Sequence, residues 1–246
     1  MPVDVSLHEV RHALVELGRL RFGEMKVEDA IREIVHTTHS MFHVDGAGLM
    51  LADADQHLRS VAASDARLTH LEELQIKHQE GPCIDAFETK ELVGVEDLAE
   101  DHRWPLFSDA AIARQVRAVL ASPIPYNQYA VGVVAVLSEQ SHPWSPEGEL
   151  ALLAFTDLAA LLIASMMMGE EQSELSTQLQ TALNSRQIIE QAKGVLIGTR
   201  GISAREAYEQ LRAQARTERR KLAAICADVV ETASRQTASA SGASAG

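Results

Sequence analysis

The residues of this sequence best suited to chemistry are basic side chains near its C-terminal end, which could bind phosphate groups. Two sets recur at helical spacing, so that at 100° per residue each set falls within about 40° of arc on a helix. Arg186, Lys193 and Arg200 form one set, and Arg205, Arg212 and Arg216 form the other. Arg219, Arg220 and Lys221 follow directly. A phosphate backbone would favour such an alignment, because binding releases its condensed counterions.

The charge of the chain is unevenly distributed. Its 246 residues include 22 Lys and Arg and 35 Asp and Glu, a net charge of −13, which taken alone argues against a nucleic-acid partner. Residues 184–246, however, hold 10 basic and 6 acidic residues. A basic segment on an acidic body indicates an anionic partner for that segment. The alternative is a helical surface whose charges are simply solvated.

Cys83 is a second candidate for chemistry. It follows Gly81-Pro82 at the predicted start of a short helix, where the helix N-terminus could lower the thiol pKa and make the residue redox-active. The alternative, which we prefer, is a buried cysteine that packs as a small hydrophobic residue. The chain has two cysteines, which excludes a disulfide framework and a Cys-rich zinc module.

Three histidines share one helix face. His36, His39 and His43 fall within about 60° of each other at 100° per residue, and could bind a transition metal or respond to pH. A partly solvated polar face explains them equally well, and we predict no metal site.

Catalytic motifs are missing from the sequence. It has no phosphate-binding glycine loop and no HExxH or GxSxG element. Acidic pairs such as Glu72-Glu73 and Glu96-Asp97 are best interpreted as solvated surface acids. We therefore predict that the protein is not an enzyme, and the sequence identifies no cofactor.

The N-terminal two thirds predict an α+β domain with one sheet and flanking helices. Apolar residues keep helical spacing in 7–22, 27–42 and 65–77. Ser145-Pro146-Glu147 is a helix start, from which a helix can run to 168. Short helical pieces are predicted at 83–89 and within 104–116, and five strands at 47–51, 58–63, 92–95, 119–125 and 130–137.

This part of the chain resembles a GAF domain over roughly residues 25–166. The resemblance rests on the segments GPCIDAF, LVGVEDLAEDHRWPLFSDAA, VLASPIPY and VGVVAVLSEQSHPWSPEGELALLAFTDLAALL. It implies a sensory domain, assigned to residues 1–168, with a pocket over one sheet face. Members bind small molecules or only mediate dimerisation, so the resemblance identifies the fold and leaves the ligand open.

Residues 169–183 are predicted to be a helical connector. A repeat of alternating four and three residues runs through Leu175, Leu179, Ala182 and Ile189, which could form a short coiled coil. A single amphipathic helix is the alternative. We predict a homodimer built on the helices around 147–183.

Three amphipathic helices follow and predict a small bundle. The first ends at Arg200-Gly201, the second opens with the capping box Ser203-Ala204-Arg205-Glu206, and the third is predicted to start with Thr217 as N-cap. Residues 234–246 are small and polar, and predict a disordered tail.

Residues 172–233 closely resemble an ANTAR domain. The resemblance rests on Ala192-Lys193-Gly194, Ala207-Tyr208 and Leu211-Arg212. It implies an RNA-binding module of bacterial transcription antiterminators, which holds paired stem-loops of a leader mRNA as a dimer. Arg219 stands where the family usually has Asn, and Ala215 where it usually has Ser.

These observations predict a signal-responsive antitermination regulator. Its RNA-binding residues would be Arg186, Lys193, Arg205, Arg212, Arg216, Arg219, Arg220 and Lys221. The alternatives are a DNA-binding regulator, since an arginine-rich three-helix bundle also describes helix-turn-helix proteins, and a dimeric signalling adaptor. With no signal peptide or membrane span in the sequence, the expected location is the cytoplasm.

Overall fold

The computed structural model describes residues 8, 10–12, 15, 25–168 and 174–243, without the side chains of 165–168, 174–176, 179 and 236–243. The chain forms two compact units. One comprises Met1–Ala52 with His57–Leu179 and is called the sheet unit. The other comprises Asp53–Gln56 with Gln180–Gly246 and is called the helical unit.

A five-stranded antiparallel sheet forms the centre of the sheet unit. Its order is β2-β1-β5-β4-β3, so β5 is the middle strand. The strands are β1 (Gly46–Ala52), β2 (Leu58–Ala63), β3 (Val93–Val95), β4 (Ala118–Tyr126) and β5 (Tyr129–Ser138). The predicted α+β class and all five predicted strands are confirmed.

Both faces of the sheet are covered, which is why its central strands are apolar runs rather than alternating sequences. Met50, Val119 and Val133 belong to a core that also includes residues of the helices after β2 and β3. Their neighbours Leu49, Leu120 and Val134 point to the opposite face and are equally buried. On that face Ser122 of β4 lies 3.1 Å from the Thr156 hydroxyl of the last helix.

Five helices flank the sheet: α1 (Val27–Phe42), α2 (Ala66–His78), α3 (Pro82–Thr89), α4 (Pro105–Ile112) and α5 (Pro146–Met168). Asp65 caps α2 by accepting a 2.9 Å hydrogen bond from the Leu68 backbone N–H. Ser145 accepts a bond from the Gly148 N–H, as the predicted helix start requires. Of the predicted helix at 7–22, His8, Val10–His12 and Val15 are helical, and the rest lies outside the described residues.

Three helices follow: α6 (Glu174–Arg200), which lies in the helical unit from Gln180 onward, α7 (Ala204–Glu218) and α8 (Leu222–Ala243). The predicted connector from residue 174 onward and the first bundle helix are one continuous helix. The predicted capping box is present: the Ser203 hydroxyl accepts from the Glu206 N–H, and the Glu206 carboxylate accepts from the Ser203 N–H. The buried core includes Ile189, Ala192, Ala207, Leu211, Leu222, Ile225 and Cys226.

The predicted start of the third helix at Thr217 is wrong. Thr217 lies in the last turn of α7, where its hydroxyl donates to the Ala213 carbonyl. The chain leaves the helix at Arg219, which adopts the left-handed conformation with φ 53°. Nothing in 204–218 interrupts helical geometry, so α7 continues until that residue.

The predicted disordered tail is also corrected. The backbone of α8 continues through 234 to Ala243, while residues 244–246 lie outside the described part. The segment contains no proline and no glycine before Gly242, and its alanines favour helix.

Candidate nucleic-acid interface

Four of the eight predicted basic site residues are exposed and unpaired. Arg205 and Arg216 lie on α7, and Arg219 and Lys221 lie in the turn that follows. Among the described residues, none of the four forms an ion pair. Their charges therefore face solvent, with no carboxylate of the described residues within ion-pair distance.

Arg212 is half-buried on α7 and packs against an aromatic ring. Its guanidinium carbon lies 5.7 Å from the centroid of the Tyr208 ring, within the range of a cation–π contact. Tyr208 in turn packs on the core of the helical unit. The Arg212 guanidinium therefore lies beside a ring that packs on the core.

Arg186 and Lys193 share one carboxylate. Lys193 Nζ lies 2.9 and 3.0 Å from the two carboxylate oxygens of Glu190, and Arg186 Nε lies 3.4 Å from one of them. The Arg186 side chain is 11% exposed and that of Lys193 18%. The first predicted basic set is thus partly neutralised by its own helix, at positions i+3 and i+4.

Arg220 is paired as well. Its guanidinium lies 2.6 Å from Asp228 and 3.2 Å from Glu218. Hydrogen bonds from Arg220 lower the pKa of Asp228, and those to Asp228 and Glu218 raise the pKa of Arg220. A phosphate that binds Arg220 would have to compete with both carboxylates.

Two glycines of α6 form a feature that the basic spacing did not reveal. A Cβ atom added at Gly194 or Gly198 would meet nothing within 4 Å. The two positions are one turn apart, and neighbouring Ile197 is 38% exposed. Glycine inside a helix costs about 1 kcal/mol relative to alanine, so packing within this chain gives no reason for either. The sequence signal was present, since Gly194 ends the Ala192-Lys193-Gly194 motif.

In the sheet unit, Cys83 packs as a small hydrophobic residue. It is 2% exposed, and burial raises its pKa to about 12. Its backbone N–H donates to Gln75 Oε1 at 2.9 Å, and Gln75 Nε2 lies 3.4 Å from the sulfur. A reactive thiol needs the opposite surroundings, which stabilise the thiolate.

Glu72 is buried, which corrects the interpretation of Glu72-Glu73 as solvated acids. It is 1% exposed, and its oxygens have no well-formed hydrogen bond to any described residue. Burial raises its pKa to about 8, although Ser60 lies close enough to favour the ionised form. The carboxyl occupies the space that a side chain at Gly48 would fill.

The histidines of the predicted face lie along α1 and at its end. His36 and His39 line a groove of about 520 Å³ with Arg32 and Asp65, and His43 ends α1 in the left-handed conformation. Within the described part of the chain, no three His, Cys, Asp or Glu side chains are placed to hold a metal ion. The helices described there include none with the length and hydrophobicity of a membrane span.

Comparison with known protein families finds a matching family for each of the two units. The GAF domain family matches residues 26–163, and the ANTAR domain family matches residues 177–230. No curated protein matches the chain in sequence.

Solved structures support the fold of the sheet unit. The chain is similar to the GAF domain of an Acinetobacter phosphoenolpyruvate-protein phosphotransferase, with a TM-score of 0.52 and 18% identity, covering 66% of this chain and 94% of that one. It is similar to the GAF domain of the corresponding protein from Coxiella burnetii, with a TM-score of 0.52, 16% identity and the same coverage. At these identities the likeness concerns the fold alone.

GAF domains are known as sensor domains and ANTAR domains as RNA-binding antitermination modules. The basic surface described above therefore lies within the ANTAR match, whereas Glu72 and Cys83 lie within the GAF match. The chain belongs to the GAF domain family and carries a C-terminal ANTAR domain.

Proposed function

We propose that this protein is a signal-responsive antitermination regulator that binds and stabilises stem-loops of a leader mRNA. The observation that carries the proposal is the set of exposed, unpaired cations on and after α7, within the ANTAR match. They belong to a segment with an excess of basic residues in a chain whose net charge is −13. Because the chain as a whole is acidic, a nucleic-acid surface must be confined to such a basic segment.

The chemistry of this surface suits a phosphate backbone. Arg205, Arg216, Arg219 and Lys221 offer donors to phosphate oxygens, and each contact adds to the salt dependence of binding. Gly194 and Gly198 would let a backbone approach α6 more closely than any other residue allows.

A direct titration tests the proposal. A leader RNA with two hairpins, a single hairpin of the same length and a duplex DNA are each titrated with the full chain at two salt concentrations. We expect the two-hairpin RNA to bind most tightly, with an affinity that falls steeply with salt. Tighter binding to the duplex DNA would favour a DNA-binding regulator, and weak, salt-insensitive binding to all three would favour an adaptor.

We further propose that the protein is a homodimer that pairs through α5. Leu150 and Leu161 are 62% and 68% exposed, and Leu153 is 39% exposed. At 100° per residue these three lie within about 80° of arc, so they form one apolar stripe. Single exposed leucines are ordinary, but a stripe along one helix is what a pairing helix presents.

The predicted coiled-coil seam can include fewer residues than its repeat suggested. Ile189 is buried in the core of the helical unit, so it cannot also face a second copy. The side chains of Leu175 and Leu179 lie outside the described residues. Leu150→Glu with Leu161→Glu should give monomers in sedimentation, whereas Leu106→Glu, an equally exposed leucine of α4, should leave the dimer intact. A dimer that survives the double change would contradict pairing through α5.

The sheet unit would supply the signal by binding a small molecule, and the protein would act in the cytoplasm, where its two free cysteines stay reduced. Native mass spectrometry of the protein from its host would detect a retained ligand. Addition or removal of that ligand should change RNA affinity. An affinity that does not respond would contradict a sensory role.

A further inference from the structure

Helix α2 buries two polar side chains on the face that packs against the sheet and α3. Glu72 and Gln75 are 1% and 3% exposed. They lie three positions apart, so they share a helix face, on which Leu68 and Leu71 are buried as well. A face that covers a core is normally apolar. A polar group buried there is unfavourable unless it is hydrogen-bonded.

Glycines make room for both polar side chains. A Cβ atom at Gly48 on β1 would lie 2.2 Å from Glu72 Oε1, and one at Gly81 would lie 2.4 Å from Gln75 Oε1. Gln75 is satisfied, because its Oε1 accepts from the Cys83 N–H at 2.9 Å. Both carboxyl oxygens of Glu72 are instead buried without a well-formed hydrogen bond to any described residue. The fold therefore accommodates this carboxyl without satisfying it.

The surroundings of Glu72 favour its neutral form. Burial is the largest cause that raises its pKa to about 8, and the charge of Glu73 acts in the same direction. Ser60 acts in the opposite direction and favours the ionised form. An ionised carboxylate without a paired cation would be strongly unfavourable in this place. Glu72 can therefore stay under α2 only while it keeps its proton.

The charged groups on the elements that pack against α2 leave this conclusion unchanged. Strand β1, which contributes Gly48, has no titratable residue in its sequence. Cys83 of α3 faces Glu72, and the charge of Glu72 helps to raise the pKa of that thiol. The other titratable or charged side chains on α2 and its neighbours are Arg67, His70, Glu73, Lys77 and His78 on α2, Arg59 on β2, Asp85 and Glu88 on α3, and Asp109 on α4. All of these are exposed except Arg67, which pairs with Glu139, and Asp85, which accepts from Trp104 Nε1.

Both ends of α2 are anchored by contacts that do not involve Glu72. Near its start, Arg67 lies 2.6 Å from Glu139, in the segment that follows β5. Beyond its end, the Glu80 carboxylate accepts from two backbone N–H groups at the start of α4, at 2.7 and 3.0 Å. Release of the middle of α2 from the sheet therefore does not require either end to detach.

We propose that the contact of Glu72 with β1 at Gly48 is a proton-controlled latch of the sheet unit. With the carboxyl protonated, α2 lies closed over Gly48. Loss of the proton moves the carboxylate into solvent, and the middle of α2 separates from β1 and β2. Because the carboxyl holds its proton more tightly in the closed form than in the open form, rising pH favours the open form. The latch concerns the sheet unit alone and does not rest on the proposed RNA binding.

Hydrogen exchange of backbone amides in the full chain tests the latch, at several urea concentrations below the unfolding transition. After correction for the intrinsic exchange rate, the protection of the α2 amides should fall about fifty- to a hundredfold from about pH 5.5 to 7.5. This protection should depend on urea much less than that of β5 amides, because a local opening exposes little surface. Equal urea dependence of α2 and β5 would mean that Glu72 is released only when the whole unit unfolds, and would overturn the proposal.

Variants assign the pH dependence to Glu72. Glu72→Gln keeps the size of the side chain and cannot ionise, so the protection of its α2 amides should not vary with pH. Glu73→Gln changes the exposed acid next to it and, as the matched control, should keep most of the pH dependence. The same pH dependence in Glu72→Gln as in the parent chain would overturn the proposal.

Substitutions on β1 test the geometry of the latch at a single pH. Gly48→Ala places a methyl group where the Glu72 carboxyl lies, so it should lower the protection of the α2 amides even at about pH 5.5, where the carboxyl is neutral. Gly46→Ala on the same strand would make only ordinary contacts, the nearest at 3.5 Å, and should leave that protection unchanged. Equal effects of the two substitutions would show that the Gly48 position has no special part in holding α2 closed, and would overturn the proposal.

Discussion

Lys193 Nζ lies 2.9 Å from Oε1 of Glu190, so a cation that its spacing assigns to phosphate is held by a carboxylate of its own helix. Glu190→Gln should therefore raise the affinity for the leader RNA several-fold. It should also steepen the slope of log affinity against log salt by about 0.7 for each cation that becomes free to contact a phosphate. Fluorescence anisotropy at several salt concentrations measures both quantities. Glu209→Gln removes an exposed acid of α7 and is the control. Identical behaviour of the two variants would mean that the Glu190 pair is not part of the interface.

Arg205 and Arg216 should carry RNA affinity without contributing to the core. Both are exposed, so alanine at either position should leave helicity in circular dichroism unchanged. Each loss of a phosphate contact should flatten the slope of log affinity against log salt by about 0.7 to 0.9. Arg235→Ala, an exposed and ion-paired residue beyond the ANTAR match, should leave the slope unchanged. If Arg205 and Arg216 variants bind like the parent, the exposed cations are ordinary surface charge.

Alanine at Gly194 or Gly198 should raise the stability of the protein and lower its RNA affinity. Each change should stabilise the protein by up to about 1 kcal/mol, because helix propensity rises and the added methyl meets no atom. RNA affinity should nevertheless fall if a backbone approaches α6 there. Urea unfolding and RNA titration measure the two effects, and Ala227→Gly on the exposed side of α8 should destabilise without altering binding. Stabilised variants with parental affinity would exclude this part of α6 from the interface.

The left-handed conformation of Arg219 makes a further prediction about stability. A non-glycine residue in this region costs about 1 to 2 kcal/mol, and glycine and asparagine tolerate it best. Arg219→Asn and Arg219→Gly should therefore raise the free energy of unfolding, whereas Arg219→Ala should not. All three should weaken RNA binding similarly if the guanidinium contacts phosphate. Equal stability of the three variants would show that the turn relaxes without strain.

The buried carboxyl of Glu72 predicts a pH dependence. Its pKa is about 8 in the folded chain against 4.5 for the unfolded reference, so the folded state keeps a proton that the unfolded state loses between those values. The free energy of unfolding should therefore fall by about 2.5 kcal/mol from pH 5.5 to 7.5 through this group, at no more than 1.36 kcal/mol per unit. Glu72→Gln cannot ionise and should lack this component in urea titrations at both pH values. A parallel pH dependence in the two proteins would contradict a protonated Glu72.

Local signals explain what the sequence could predict. The strands are apolar runs bounded by turn residues, and the start of α7 is set by Ser203 and Glu206, three positions apart. The sequence did not predict the end of α7, because Arg219 adopts the left-handed conformation that glycine usually occupies at a helix end. The pairing of Glu190 with Lys193 and Arg186 could have been predicted, because these residues lie three and four positions away on the same helix. The burial of Glu72 could not be predicted from local sequence. It depends on the space left by Gly48, which lies on β1, a strand distant in sequence from α2.

The order of the sheet has a consequence for synthesis. Gly46 pairs with Leu137, so β1 cannot meet its central partner until more than ninety residues have left the ribosome after it. Until then β1 can pair only with β2, and its other edge stays open to other chains. Translation arrest before residue 129 should therefore yield an aggregation-prone chain.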